Sequence, residues 1–136
     1  MLAGCATAVS VDSPAVDGDT ARQCATLAEQ APNSVAGAER REVDSAGVAL
    51  AWGDPPIVLR CGVSVPASLR PGAHCDTIDG VDWFTRQHDD TFVFATIGRA
   101  STVEVTVPDD YDPAGDALID LTGAVRTAIP VVTPCR

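Results

Sequence analysis

Spacing alone divides the chain into a helical stretch near each end and an alternating middle. Ala21, Cys24, Ala25, Leu27, Ala28 and Ala31 return every three or four positions, the period of one helix face. Asp19 or Thr20 suits the N-cap of that helix, and Pro32-Asn33 stops it. Toward the other end Ala117, Leu118, Leu121, Ala124, Val125 and Ala128 repeat the spacing until Pro130. Asp112 followed by Pro113 reads there as an N-cap with Pro at the first helical position.

Between the helices the period is two. Val48, Leu50 and Trp52 alternate with small residues, and Ile57-Val58-Leu59 is a short apolar run. Thr91 to Ile97 is apolar on both sides, as a central strand would be, while Val103, Val105 and Val107 alternate with Thr102, Glu104 and Thr106, the pattern of a strand with one wet face. Turn signals separate them at Gly53-Asp54-Pro55-Pro56, Asp79-Gly80, Asp89-Asp90 and Gly98-Arg99. These gaps are too short for crossover helices, so the strands pair antiparallel. The pattern predicts an α+β fold: an antiparallel sheet of about five or six strands with N-terminal and C-terminal helices packed on one face. Residues 6–19 are small and polar without periodicity and read as a flexible tether. Residues 20–136 then form a single globular domain, a size at which about two-thirds of the unfolded surface is buried.

Composition changes the picture in two ways. The net charge of -10, with no basic cluster, argues against nucleic acid as a partner and against docking on an anionic lipid surface. All nine basic residues are Arg, which fits a GC-rich coding sequence and says nothing of function. The core is poor in large rings: Trp52, Trp83, Phe84, Phe92, Phe94 and Tyr111 are the aromatic residues, so covalent staples matter more than usual.

Five cysteines supply them. None is in a C-x-x-C pair, which argues against a zinc ribbon or a thioredoxin-type site. Leu2-Ala3-Gly4-Cys5 has the form of a bacterial lipobox, so residues 1–5 read as its remnant and Cys5 as the lipidated residue. Cys24, Cys61, Cys75 and Cys135 remain as two disulfides. Three pairings are open to four cysteines. Cys61–Cys75, closing a turn-rich loop, and Cys24–Cys135, tying the first helix to the chain end, are the preferred two. The domain is then extracytoplasmic, held at the outer face of the plasma membrane by its N-terminal lipid and in no other way.

The stretch Ala51-Trp52-Gly53-Asp54-Pro55-Pro56-Ile57-Val58-Leu59-Arg60-Cys61-Gly62-Val63, with Asp79-Gly80-Val81-Asp82-Trp83 and Ile97-Gly98-Arg99, resembles the actinobacterial domain of unknown function 3515. The likeness spans roughly Cys24 to Cys135. It implies a small exported or membrane-anchored envelope protein of an actinobacterium, and it carries no activity with it.

Candidate chemistry is sparse. Cys61, His74 and nearby aspartates have the residue types of a nucleophilic set, but an oxidising compartment makes Cys61 a disulfide partner. His74, Cys75 and Asp76 with His88 match no common zinc spacing. Asp109-Asp110-Tyr111-Asp112 resembles a calcium loop only superficially, because Ala114 and Leu121 stand where ligands belong; a solvated turn suits it better. No metal and no cofactor is expected. Trp52, Asp54, Arg60, Asp82, Trp83 and Arg99 form the more interesting set. They read either as core rings with the ion pairs Asp54–Arg60 and Asp82–Arg99, or as a recognition surface. The functional expectation is a non-catalytic envelope lipoprotein domain that binds or helps assemble an envelope protein or cell-wall component. A small-ligand or glycan binder is the alternative, and an envelope hydrolase using Asp carboxylates the third reading.

Overall fold

The computed structural model describes residues 7–135. In chain order the strands are β1 (Val9–Ser10), β2 (Ser34–Val35), β3 (Ala38–Arg41), β4 (Val43–Asp44), β5 (Ala49–Trp52), β6 (Ile57–Val63), β7 (Asp76–Ile78), β8 (Val81–His88), β9 (Thr91–Thr96) and β10 (Thr102–Pro108). The helices are α1 (Gly18–Gln30) and α2 (Gly115–Ala128). One eight-stranded sheet runs in the order β2-β3-β5-β6-β10-β9-β8-β7, and β1 and β4 form a separate two-stranded pair. Every pairing in the large sheet is antiparallel. The α+β class and the antiparallel sheet are as the pattern predicts. The strand count is higher, because the edge strands β2 and β7 and β3 beside β2 are short and mostly polar, with no alternation to betray them.

Valines 103, 105 and 107 on β10, with Leu59 and Cys61 on β6, are fully buried on one face. They join Cys24 and Leu27 of α1 and Leu118, Leu121 and Val125 of α2 in one core. The helices pack against each other, α1 against β6 and α2 against β2, β7, β8 and β10. A helix of this length is about 21 Å long, whereas eight strands laid flat span about 34 Å. That α2 nevertheless touches both edge strands means that the sheet curls around it. The second helix starts later than expected: its N-cap is Ala114, because the Pro113 carbonyl is spent in a turn that accepts the Asp116 N–H at 3.1 Å.

Two expectations are corrected. Cys5 and Ala6 lie outside the described residues, but residues 7–17 of the supposed tether are seated on the domain and Gly18 already opens α1. Val9 and Val11 donate their N–H groups to Glu42 and Asp44, pairing β1 in parallel with β4. Ser13 is buried and donates to the Val48 carbonyl at 3.0 Å. Small polar residues here are a docked strap whose partners lie some 35 positions away.

The disulfides are Cys24–Cys61 and Cys75–Cys135, so Cys61–Cys75 and Cys24–Cys135 are not formed. Cys24 sits on the buried side of α1 and Cys61 on the inner face of β6, their Cα atoms 5.7 Å apart. Cys61 and Cys75 are close in sequence but far apart in space. β10, β9 and β8 lie between β6 and β7, which makes four strand spacings or about 19 Å, well beyond the roughly 7 Å that a disulfide can bridge.

Candidate functional site

The three segments that stood out in the sequence turn out to be fastenings. Trp52 is fully buried, and its Nε1 donates to the Pro32 carbonyl at 3.0 Å. Gly53 follows at φ +80, where a Cβ would run into the Tyr111 hydroxyl. That hydroxyl in turn donates to the Pro55 carbonyl at 2.6 Å. Burial, together with the charges of Asp110 and Asp54, raises the Tyr111 pKa. Asp54 lies exposed in this turn.

The other two segments hold down the end of the chain. Asp79 and Gly80, both at positive φ, make the turn between β7 and β8. Arg126 of α2 donates to the Asp79 carbonyl at 2.6 Å and pairs with its carboxylate at 2.9 Å. Arg99 donates to the Gly80 carbonyl at 3.0 Å and to the Ile129 carbonyl at 2.7 Å. Its pKa is lowered by burial, an effect that the charge of Asp82 opposes. The Gly98 carbonyl accepts the N–H groups of both Val132 and Thr133. Asp82 accepts the Cys135 N–H at 2.9 Å and the Thr77 hydroxyl at 2.6 Å. Cys75–Cys135 finishes the attachment.

This bracket leaves a groove between the loop 69–75 and the returning segment 133–135. It is an open groove of about 430 Å³, with Leu69, Pro71, Ile97, Pro134 and the Cys75–Cys135 bridge as apolar walls and the exposed Arg70 among its lining residues. A second cavity of about 410 Å³ lies across the same disulfide and includes His74. The His74 ring nitrogen stands 3.0 Å from the Asp76 carboxylate. Cys61 is at the other side of the sheet, so no Cys61–His74 pair exists. Val131 and Val132, just before the groove wall, are 54% and 68% exposed.

A polar cluster crosses the middle of the sheet. Arg60 contacts Glu104 through Nε at 2.9 Å and Nη2 at 2.8 Å, and donates to the Asp12 carbonyl at 2.7 Å. Arg86 lies 3.6 Å from the other Glu104 oxygen and 5.9 Å from the Phe84 ring centroid. The register puts Arg60 opposite Glu104, so this is a cross-strand pair. Arg60 therefore pairs with Glu104 and not with Asp54.

The six residues of the expected recognition surface are thus not brought together. Trp52 and Trp83 are fully buried and offer nothing to a partner. Trp83 Nε1 has no hydrogen-bond partner among the described residues. Arg99 and Asp82 meet at the chain-end bracket, but Arg99 spends its donors on carbonyls. Sequence reasoning missed the groove, because its walls come from three segments far apart in the chain. Among the described residues no group of three or more His, Cys, Asp or Glu side chains gathers as metal ligands do, and no helix is long and apolar enough to cross a membrane. Two buried or half-buried disulfides fit a non-cytoplasmic, oxidising compartment.

No curated protein and no solved structure matches the chain. The profile of one family, described as protein of unknown function (DUF3515), matches residues 3–133, a span that takes in the docked strap, both helices and every strand, and the chain belongs to that family.

Proposed function

We propose that this chain is a binding domain of an actinobacterial cell envelope, exported and lipid-anchored through Cys5, which holds or helps assemble another envelope component without catalysing a reaction. The observation that carries the reading is the groove at the β7 edge. An open apolar channel with exposed Val131 and Val132 beside it is the kind of surface that a binding partner covers. The Cys75–Cys135 disulfide and the bonds that Gly98 and Asp82 make to Val132, Thr133 and Cys135 favour the same reading, since they hold the groove walls in place before anything binds. Cys5 is the cysteine left over once four are paired, which suits its role as anchor. A glycan-binding version lacks a platform, because both tryptophans are in the core.

A photo-crosslinking residue at Val132 in the native membrane tests the proposal, with the same residue at exposed Gln87 as control. A defined envelope component captured from Val132 and not from Gln87 is the expected result. A folded, membrane-located protein that captures nothing from Val132 refutes it. Cys5→Ala should release the folded domain from the membrane fraction; retention would refute the anchor.

A further inference from the structure

We infer that the groove between Leu69–Cys75 and Thr133–Cys135 is a site for a single-chain anionic amphiphile: an alkyl tail along the apolar walls and a carboxylate or phosphate head at Arg70. This deepens the binding reading above and rests on it only for biological context.

Three observations select that chemistry. The first is the state of the backbone in the walls. The N–H groups of Leu69, Ala73, Ile97 and Thr133 are bonded within the protein, the Cys135 N–H is held by Asp82, and Pro71 and Pro134 have none. Gly98, behind the wall, already accepts two bonds at its carbonyl. An extended peptide gains affinity from main-chain hydrogen bonds, and these walls have few N–H groups to give. An alkyl chain asks for none. The second is size: about 430 Å³ falls within the range of about 300–1,000 Å³ usual for small-ligand sites.

The third is charge. The chain carries 19 acidic residues, yet each groove wall belongs to an acid-free stretch: 55–75, 91–103 and 121–136. Among the described residues Arg70 is the charged side chain lining the groove, and His74 lies just across the disulfide. The nearest acids, Asp76, Asp79 and Asp82, do not line the groove; their carboxylates face His74 and Thr85, Arg126, and Thr77 and the Cys135 N–H. A strongly acidic protein has therefore kept one apolar channel whose charge attracts an anion.

The test is a titration of the full chain, disulfides intact, with dodecanoate, dodecyl phosphate and dodecyltrimethylammonium below their micellar concentrations. Binding is read from the methyl resonances of Leu69 and Ile97. The two anions should bind at least about tenfold tighter than the cation and shift those methyls first. R70E, a change at an exposed position, should keep the unfolding midpoint and remove the preference. Equal affinity for anion and cation, shifts confined to other regions, or no binding by any of the three would overturn the inference. So would tighter binding of an uncharged apolar peptide than of dodecanoate. A partner captured from Val132 with no amphiphile bound would sink this inference and leave the envelope reading standing. Amphiphile binding with no capture would do the reverse.

Discussion

The two disulfides close separate, non-overlapping loops, with sequence separations of 37 and 60. Loop-closure entropy alone ranks the longer one first, at about 4.3 kcal/mol against about 3.8 kcal/mol for separations of 60 and 37. Packing reverses that order. Cys24 and Cys61 are fully buried among Leu27, Leu59 and Val103, so replacing both by Ala removes two sulfur atoms from the core. Losing one buried heavy atom costs about 0.5–1.5 kcal/mol, as in Ile→Val. The double substitution C24A/C61A should therefore destabilise by about 5–7 kcal/mol. For C75A/C135A the entropic value of about 4.3 kcal/mol is a ceiling, because a partly exposed chain end can fray instead of taking the rest of the fold with it. Urea unfolding of the two double variants, extrapolated to water, should show C24A/C61A the less stable by at least about 1 kcal/mol. Equal losses, or a larger one for C75A/C135A, would mean that loop length outweighs burial here and would refute the argument.

Three more predictions follow from the fastenings. Gly98→Ala places a side chain at φ +70 and against the Thr133 carbonyl; it should cost about 2–4 kcal/mol from backbone strain and the loosened bonds of Val132 and Thr133, and wild-type stability in urea would count against the bracket. Trp52→Phe leaves the Pro32 carbonyl without its donor, whereas Trp83→Phe breaks no hydrogen bond. Of two fully buried tryptophans, the first should be the costlier to change by about 1–2 kcal/mol, and equal unfolding midpoints would contradict this. The folded state holds the Tyr111 proton more tightly than the ordinary pKa of 10.0. Its contribution to stability is thus complete below about pH 10 and is lost as pH rises through the folded value. Tyr111 is the sole tyrosine, so tyrosinate absorbance should titrate above the unfolded chain's midpoint, and Tyr111→Phe should flatten the alkaline fall in stability. A midpoint at or below that of the unfolded chain would refute it.

Local periodicity was enough for much of this protein. The α+β class, both helices to within a few residues and the strands β5, β6, β9 and β10 follow from side chains that repeat at three to four or at two, because each element must present one apolar face; β8, the longest strand, does not. The even set of four cysteines and the family segments were also legible, and Gly53, Gly80 and Gly98 explain why those segments are distinctive: their backbones take positive φ. Register and strand order were decided elsewhere. Which cysteine meets which depends on three strands intervening between β6 and β7, a fact no spacing contains. The strap at 7–17 is ordered by partners at Glu42, Asp44 and Val48, so its own polar sequence mimics a tether. The tryptophans read as candidate anchors until the curled sheet enclosed them. The groove exists only because a loop, a strand end and the chain end meet around Cys75–Cys135. Contacts of that kind are long-range, and it is tertiary packing that brings their residues together.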